Sequence, residues 1–378
     1  MPEFVELMKE LGVQEAAQAG QRLSGHKLTE GFKKRVAMAV ELLNEAAAGN
    51  AIAKIRLHEA LSTSDFPLLV GHALDAVLLA SYASVPSDWK KYIHVGSPLK
   101  DFRAVDRLRC TRGAGILTEM GEHGSLKFDA PGESRYTFAA RVFGGARAIT
   151  WRMLVNDDLD AVKRAPEDLA WQAANTEFFV ASSLFVANTT LFAASGGGRP
   201  TGGNFSTLAF STTNLRAALK QYSLFRDDSS VPIMNRPKYL VHPPALRLQV
   251  REAINSALIT TTGSADQIIP TGNVLQNILE PVENPWIPYI DPTNGDTSWY
   301  IFSDPADGWA VDFSFMAGYE APALFMKAGD RVALSGRAMD GSFDNGGTAY
   351  GVQHVLGGSH TNAVGGWRFA YWSNGTGA

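Results

Sequence analysis

The sequence predicts a mixed α+β fold, on three observations. A long helical run at 166–188 opens behind cap-type residues, and two alternating runs, 102–110 and 134–143, flank a polar tip. Short, aromatic-rich strand-like runs then recur from 238 to the C-terminus. At 378 residues the chain is long enough for a sizeable core and for more than one domain.

Composition narrows the function classes. Hydrophobic residues make up 45% and charged residues only 19%, below the usual figure of about 25%. Either a large core or extensive cover by partner subunits accounts for that deficit. Lys plus Arg number 34 against 38 Asp plus Glu, a net charge of −4, which argues against general nucleic-acid affinity because phosphate neutralisation needs clustered cations. Cys110 is the single cysteine, so an intrachain disulfide framework and a Cys-rich metal module are excluded. Glu3, Glu6, Lys9, Glu10 and Glu15 leave the first twenty residues without the apolar centre of a signal peptide. The run 67–86 has membrane-like length, but His72 and Asp75 sit in its middle, and Leu68, Leu69, Leu74, Val77 and Leu78 approximate one face. A buried helix is expected there, and no membrane partner.

The elements follow in order. Residues 1–61 carry helical stripes, Phe4, Leu7, Met8 and Leu11, then Phe32, Val36, Val40 and Leu43. They fit a plain helical subdomain or an arm packed on a neighbouring subunit, and the pattern leaves both open. The alternating runs at 102–110 and 134–143 make a long hairpin whose tip holds Gly121, Gly124, Pro131 and Gly132. An isolated hairpin is marginally stable in water, so it should lie on something else. Asn156, Asp157 and Asp158 approach the long helix, and Pro166 fits a first helical position. Leu169, Ala173, Phe178, Val180, Leu184 and Phe185 are its core candidates, and a Gly-rich segment at 195–204 follows. Helices are expected at 211–224 and 244–257. Strands are expected at 238–244, 273–282, 298–303, 309–316, 348–355 and 366–372.

Catalytic patterns fail when tested. Gly197 and Gly202 have the glycine spacing of a phosphate loop, but Gly203 and Asn204 stand where its Lys and Ser/Thr belong. No nucleophile elbow exists; Gly357, Gly358, Ser359 and His360 read as a loop. The eight histidines form no H-E-x-x-H pattern, and the acidic stretches 291–296 and 340–346 break the register of a Ca²⁺ loop. Asp157, Asp158 and Asp160 are explained by helix capping. The cations Lys90, Lys91, Arg103, Arg107, Arg109 and Arg112 fit salt bridges to a neighbouring subunit better than DNA contacts at this net charge. No catalytic residue, cofactor ligand or metal ligand is therefore assigned.

The order of parts carries a resemblance. The segment 148–188 (AITWRMLVNDDLDAVKRAPEDLAWQAANTEFFVASSLFVAN), with 236–246, 299–306 and 367–375, resembles the tailed-phage major capsid protein of the Hong Kong 97 fold. Within that fold it is similar to the Mu-like major head subunit family. The resemblance spans about 101–378. It implies an N-terminal helical arm at 1–61, a first part of the peripheral (P) domain at 62–112 and an extended E-loop hairpin at 113–148. The P domain continues at 149–199 with a long spine helix, the axial (A) domain covers 200–330, and strands return to the P domain at 331–378. Implied contact residues are Glu122, Lys127, Phe128 and Asp129 at the E-loop tip and Arg199 and Asn204 in axial loops, with Phe178, Leu184 and Phe185 in the spine-helix core.

By the same resemblance the chain is a non-enzymatic shell subunit without cofactor. It joins copies of itself into pentamers and hexamers around double-stranded DNA held without sequence-specific binding. Portal, scaffold, protease and decoration proteins are its further candidate partners, the virion its location, and the host cytoplasm its place of assembly. Two alternatives stay open at this point: an encapsulin-type nanocompartment shell protein, and a soluble hydrolase with an unrecognised site.

Overall fold

Residues 78–84 are helical and end before Pro86, where a proline bars continuation. The computed structural model describes residues 78–110, 119, 133–149, 159–196, 199–200, 202–227, 231–233, 235–256, 258–262, 268–327 and 348–377. The helices expected within 1–61 and the hairpin tip lie outside the described residues. No helix among the described residues is long and apolar enough to cross a membrane.

From there the chain forms β1 (His94–Val95), β2 (Val105–Cys110), β3 (Glu133–Phe138) and β4 (Arg141–Ile149). Helix α1 (Leu159–Ser183) follows, then β5 (Phe205–Leu208), α2 (Thr212–Ser223), β6 (Pro237–His242) and α3 (Arg247–Asn255). Next come β7 (Leu258–Thr262), β8 (Ile268–Gly272), β9 (Glu280–Glu283), α4 (Trp286–Ile290), β10 (Trp299–Ser303) and β11 (Val311–Phe315). The described chain closes with β12 (Ala323–Lys327), β13 (Thr348–His360) and β14 (Ala370–Gly377). The described residues fall into two compact units, one within 78–86, 142–175 and 321–354, the other within 87–141, 176–320 and 355–377.

In the first unit, β12 pairs antiparallel with the start of β13, from Ala323↔Gln353 to Lys327↔Ala349. Tyr350 and Val352 alternate onto one face of β13 and pack with Leu78, Leu169 and Ala170. Tyr82 and Leu324 close the edge of that cluster. Arg147 and Asp168 add a half-exposed ion pair at 2.9 Å, a contact of small worth in water.

The second unit is built around a five-stranded sheet in the order β5-β14-β10-β6-β9. Its central strand β10 is buried along its whole length. Pairing with β14 and β6 occupies both of its edges, and burial of side chains on both of its faces is why the run reads as continuously apolar. Helix α2 is capped by Ser211, whose side chain accepts from the Asn214 N–H at 3.1 Å. Its buried stripe is Leu215, Ala218 and Tyr222. In the same unit, β1 runs parallel to β11, and β11 pairs antiparallel with the later half of β13.

Several boundaries differ from the sequence expectation. Helix α1 begins seven residues before Pro166, which lies inside it, so the helix gives up one backbone hydrogen bond there. It also stops at Ser183, leaving Leu184 and Phe185 in the turn beyond. Ala187 there adopts a φ of 51°, and Asn188 takes over the end. Its Nδ2 donates to Leu184 O at 2.9 Å, while its Oδ1 accepts from Thr190 N and Leu191 N at 3.0 and 3.1 Å. The strand expected at 273–282 is a turn up to Leu279, with β9 beginning only at Glu280. Likewise 366–369 is a 3₁₀ turn, and β14 starts at Ala370. Among the described residues, β7 and β8 pair with no other strand, and they lie outside the expected strands.

Candidate assembly site

Period-2 alternation sorts the β2–β3 ribbon into two faces. Val105, Arg107, Tyr136 and Phe138 turn to the protein; Asp106, Leu108, Arg135 and Thr137 turn outward. Tyr136 and Phe138 join Leu99, Ala140, Val355 and Val364 in an apolar cluster that seats the ribbon. Leu108 on the outer face is 67% exposed. Among the described residues, β2 and β3 pair with no other strand, so the ribbon is a two-stranded sheet of its own.

Beneath the ribbon lies Asp312, the second residue of β11 and wholly buried. Arg107 Nη1 and the Tyr136 hydroxyl both donate to its Oδ2, each at 2.7 Å. His94 donates through Nδ1 to Oδ1 at 2.9 Å, its ring stacked on Trp309 with centroids 4.0 Å apart. The other arm of Arg107, Nη2, donates to Ser97 O at 2.6 Å and to Ser314 Oγ at 2.9 Å. The guanidinium lies 5.1 Å from the centre of the Phe138 ring. Burial, then the neighbouring Asp312 carboxylate, pushes the Tyr136 phenol up to about 12, so at neutral pH it is a hydrogen-bond donor. Gly96 leaves the space this cluster needs, since a Cβ there would lie 1.9 Å from Arg107 Nη1. A buried carboxylate is tolerable when paired and saturated with donors, and costly when one partner is lost.

A second polar cluster holds Asn204. Its Oδ1 accepts from Ala193 N and from Arg199 Nε, both at 3.0 Å. Its Nδ2 donates to Leu191 O, Trp367 O and Ala370 O at 3.0, 3.1 and 3.2 Å. Arg199 also donates through Nη2 to Asn362 Oδ1 at 2.8 Å and lies 5.0 Å from the Trp367 ring centre. Asn204 is fully buried. The resemblance placed Arg199 and Asn204 in axial contacts; within the chain, Asn204 ties the glycine-rich turn to β14.

Other predicted residues divide similarly. Phe185 is fully buried, its ring edge-on to Tyr92, Tyr300 and Phe302 at 5.8, 5.1 and 5.2 Å. Phe178 and Leu184 are only half-buried. Glu122, Lys127, Phe128 and Asp129 lie outside the described residues. Three of the six cations of the basic group have partners within the chain. Arg107 serves Asp312, Lys91 pairs with Glu280 at 3.0 Å and Asp88 at 3.2 Å, and Lys90 lies 4.0 Å from Glu177. These cations are engaged inside the chain.

Sequence reasoning missed the exposed apolar residues. Leu248 on α3 is 77% exposed and Tyr289 on α4 is 70% exposed. Tyr289 forms an edge-to-face trio with Trp286 and Phe179, at 5.6 and 5.9 Å. Large exposed aromatics of this kind are the usual anchors of protein interfaces. The described residues contain no group of three or more His, Cys, Asp or Glu suited to a metal ion.

An anchored ribbon, exposed apolar anchors and saturated buried polar clusters describe a subunit made for association. The comparisons agree. The family model described as phage capsid protein matches residues 135–373, and the chain belongs to that family. Its members are structural shell proteins rather than enzymes; they associate with copies of themselves and form part of the virion. Among curated proteins none matches the chain significantly.

Solved structures similar to it include one from Mycobacterium phage Ogopogo, at 11% identity and a TM-score of 0.42, covering 74% of this chain and 89% of that one. A capsid structure of the cyanophage P-SCSP1u is similar at 12% identity and a TM-score of 0.44, covering 74% and 85%. The mature capsid of bacteriophage PhiM1 is similar at 9% identity and a TM-score of 0.46, covering 75% and 86%.

Proposed function

We propose that this chain is the major capsid subunit of a tailed phage, folded in the Hong Kong 97 manner and related to Mu-like head subunits. Its copies form pentamers and hexamers that close into an icosahedral shell around double-stranded DNA. The observation that carries this reading is the β2–β3 ribbon, held at its root by Asp312 and joined to no other strand among the described residues. Such a ribbon gains most by reaching a neighbour, because two strands alone bury too little. Rotationally related contacts of this type close rings of five and six.

In this reading, 113–148 is the E-loop, with Glu122, Lys127, Phe128 and Asp129 at its contact tip. Helix α1 is the spine of a P domain that includes 62–112, 149–199 and 331–378, and 200–330 is the A domain. The segment 1–61 is an arm toward a neighbouring subunit. Portal, scaffold, protease and decoration proteins are the further partners, and assembly takes place in the host cytoplasm. The net charge of −4 suits a wall that does not grip the DNA moving past it.

Deleting the tip 120–132, which leaves Tyr136 and the rest of β3 in place, tests the reading. The variant should remain folded and soluble yet sediment only as subunits or small rings, whereas the intact chain sediments as shells. Normal shells from the deletion variant would refute it.

A further inference from the structure

We propose that Asp312 is a positioning residue for assembly: its carboxylate locks the β2–β3 ribbon in register with the β1–β11 ladder and so sets the direction in which the ribbon leaves the subunit. The inference rests on reading the ribbon as the arm between subunits.

Register is the first argument. Arg107 and Tyr136 are direct cross-strand partners, and both end on Asp312 Oδ2. His94 is the direct partner of Asp312 in the β1–β11 ladder, and it ends on Oδ1. One carboxylate thus receives both strands of the ribbon and a strand of a second ladder. A one-residue slip of β2 or β3 would turn Arg107 or Tyr136 to the outer face. Asp312 would then be a buried charge short of its partners, the costly case.

Direction is the second. The apolar cluster around Tyr136 and Phe138 attaches the ribbon, but apolar burial is non-directional. No further ladder steers β2 or β3 among the described residues. Hydrogen bonds to a charged group are short and angle-dependent, so orientation falls mainly to Asp312, beside the Arg107 bonds to Ser97 O and Ser314 Oγ. The packing leaves little slack: Gly96 approaches from β1, and Phe138 lies across the guanidinium. Closed shells need every arm to leave its subunit at a consistent angle, since a heterologous contact at another angle does not close.

Two variants test this. Asp312→Asn keeps the shape and removes the charge; Tyr136→Phe removes one hydrogen bond and keeps the ring. By hydrogen exchange on the unassembled subunit, amides at 105–108 and 134–138 should exchange roughly tenfold faster in both variants, with β10 and β14 unchanged. Electron microscopy of assembled material should show open sheets or tubes in place of closed shells. Wild-type exchange at the ribbon root would overturn the proposal, and so would a loosened root with wild-type shells. If Asp312→Asn does not fold, Tyr136→Phe decides alone by the same criteria. Deletion of 120–132, which keeps Arg107 and Tyr136, separates the two levels. Shells lost in the deletion but normal in both point variants defeat only the role of Asp312; normal shells in the deletion defeat the arm itself.

Discussion

Arg199 Nε donates to Asn204 Oδ1 across 3.0 Å, and this one bond joins a half-exposed guanidinium to a fully buried amide. The amide in turn holds the backbone at Leu191, Ala193, Trp367 and Ala370. Two segments far apart in sequence are fastened through a single side chain.

That arrangement makes Asn204 a stability residue. Asn204→Ala strands a buried N–H and several carbonyls, each costing about 1–3 kcal/mol, and should destabilise the subunit by about 2–4 kcal/mol in denaturant titration. Arg199→Ala should cost less, because water can replace some of its bonds. A wild-type midpoint for Asn204→Ala would show that the cluster does not hold the turn.

The turn after α1 gives a second, graded expectation. Phe185→Ala removes a fully buried ring from contact with Tyr92, Tyr300 and Phe302 and should cost about 3–5 kcal/mol. Phe178→Ala and Leu184→Ala, at half-buried positions, should cost clearly less. Equal losses at Phe178 and Phe185 would contradict the burial seen here.

His242 sets a pH dependence. Its Nδ1 donates to Pro243 O at 2.9 Å, and burial lowers its pKa below the ordinary histidine value. The folded state therefore binds fewer protons than the unfolded state once the pH falls below about 6.5. Stability is full above that pH and declines as pH falls through the interval down to the folded value. His242→Gln should flatten this part of the stability-against-pH curve. An unchanged slope just below about pH 6.5 would assign the acid sensitivity elsewhere.

Leu248 and Tyr289 should separate assembly from folding. Both are largely exposed in the subunit, so Leu248→Ser and Tyr289→Ser should shift stability by only about 0.5 kcal/mol. In the proposed axial domain they face neighbours, and the yield of closed shells should fall. Undiminished yield in both variants would remove 200–330 from the axial contacts.

How much of this was legible beforehand varies with the range of the interaction responsible. The ribbon strands and β10 were readable because alternation and continuous apolarity are local patterns at 134–143 and 298–303. The ends of α1 were not. Pro166 looks like a helix start, while the true C-terminus has no glycine and depends on Asn188 and a positive φ at Ala187. The two polar clusters were invisible for a different reason. Asp312 meets Arg107 and Tyr136 across separations of 205 and 176 residues, and no spacing rule links them. Arg199 and Asn204 were named only through the resemblance, as axial-loop contacts, and nothing in their local pattern announces that a tight turn is fastened internally by a saturated amide.

Electron microscopy of the purified intact chain tests the central claim most directly. The account predicts closed shells tens of nanometres across, built from rings of five and six subunits. A uniform population of monomers or small oligomers, with no rings or shells under any assembly condition, would contradict it.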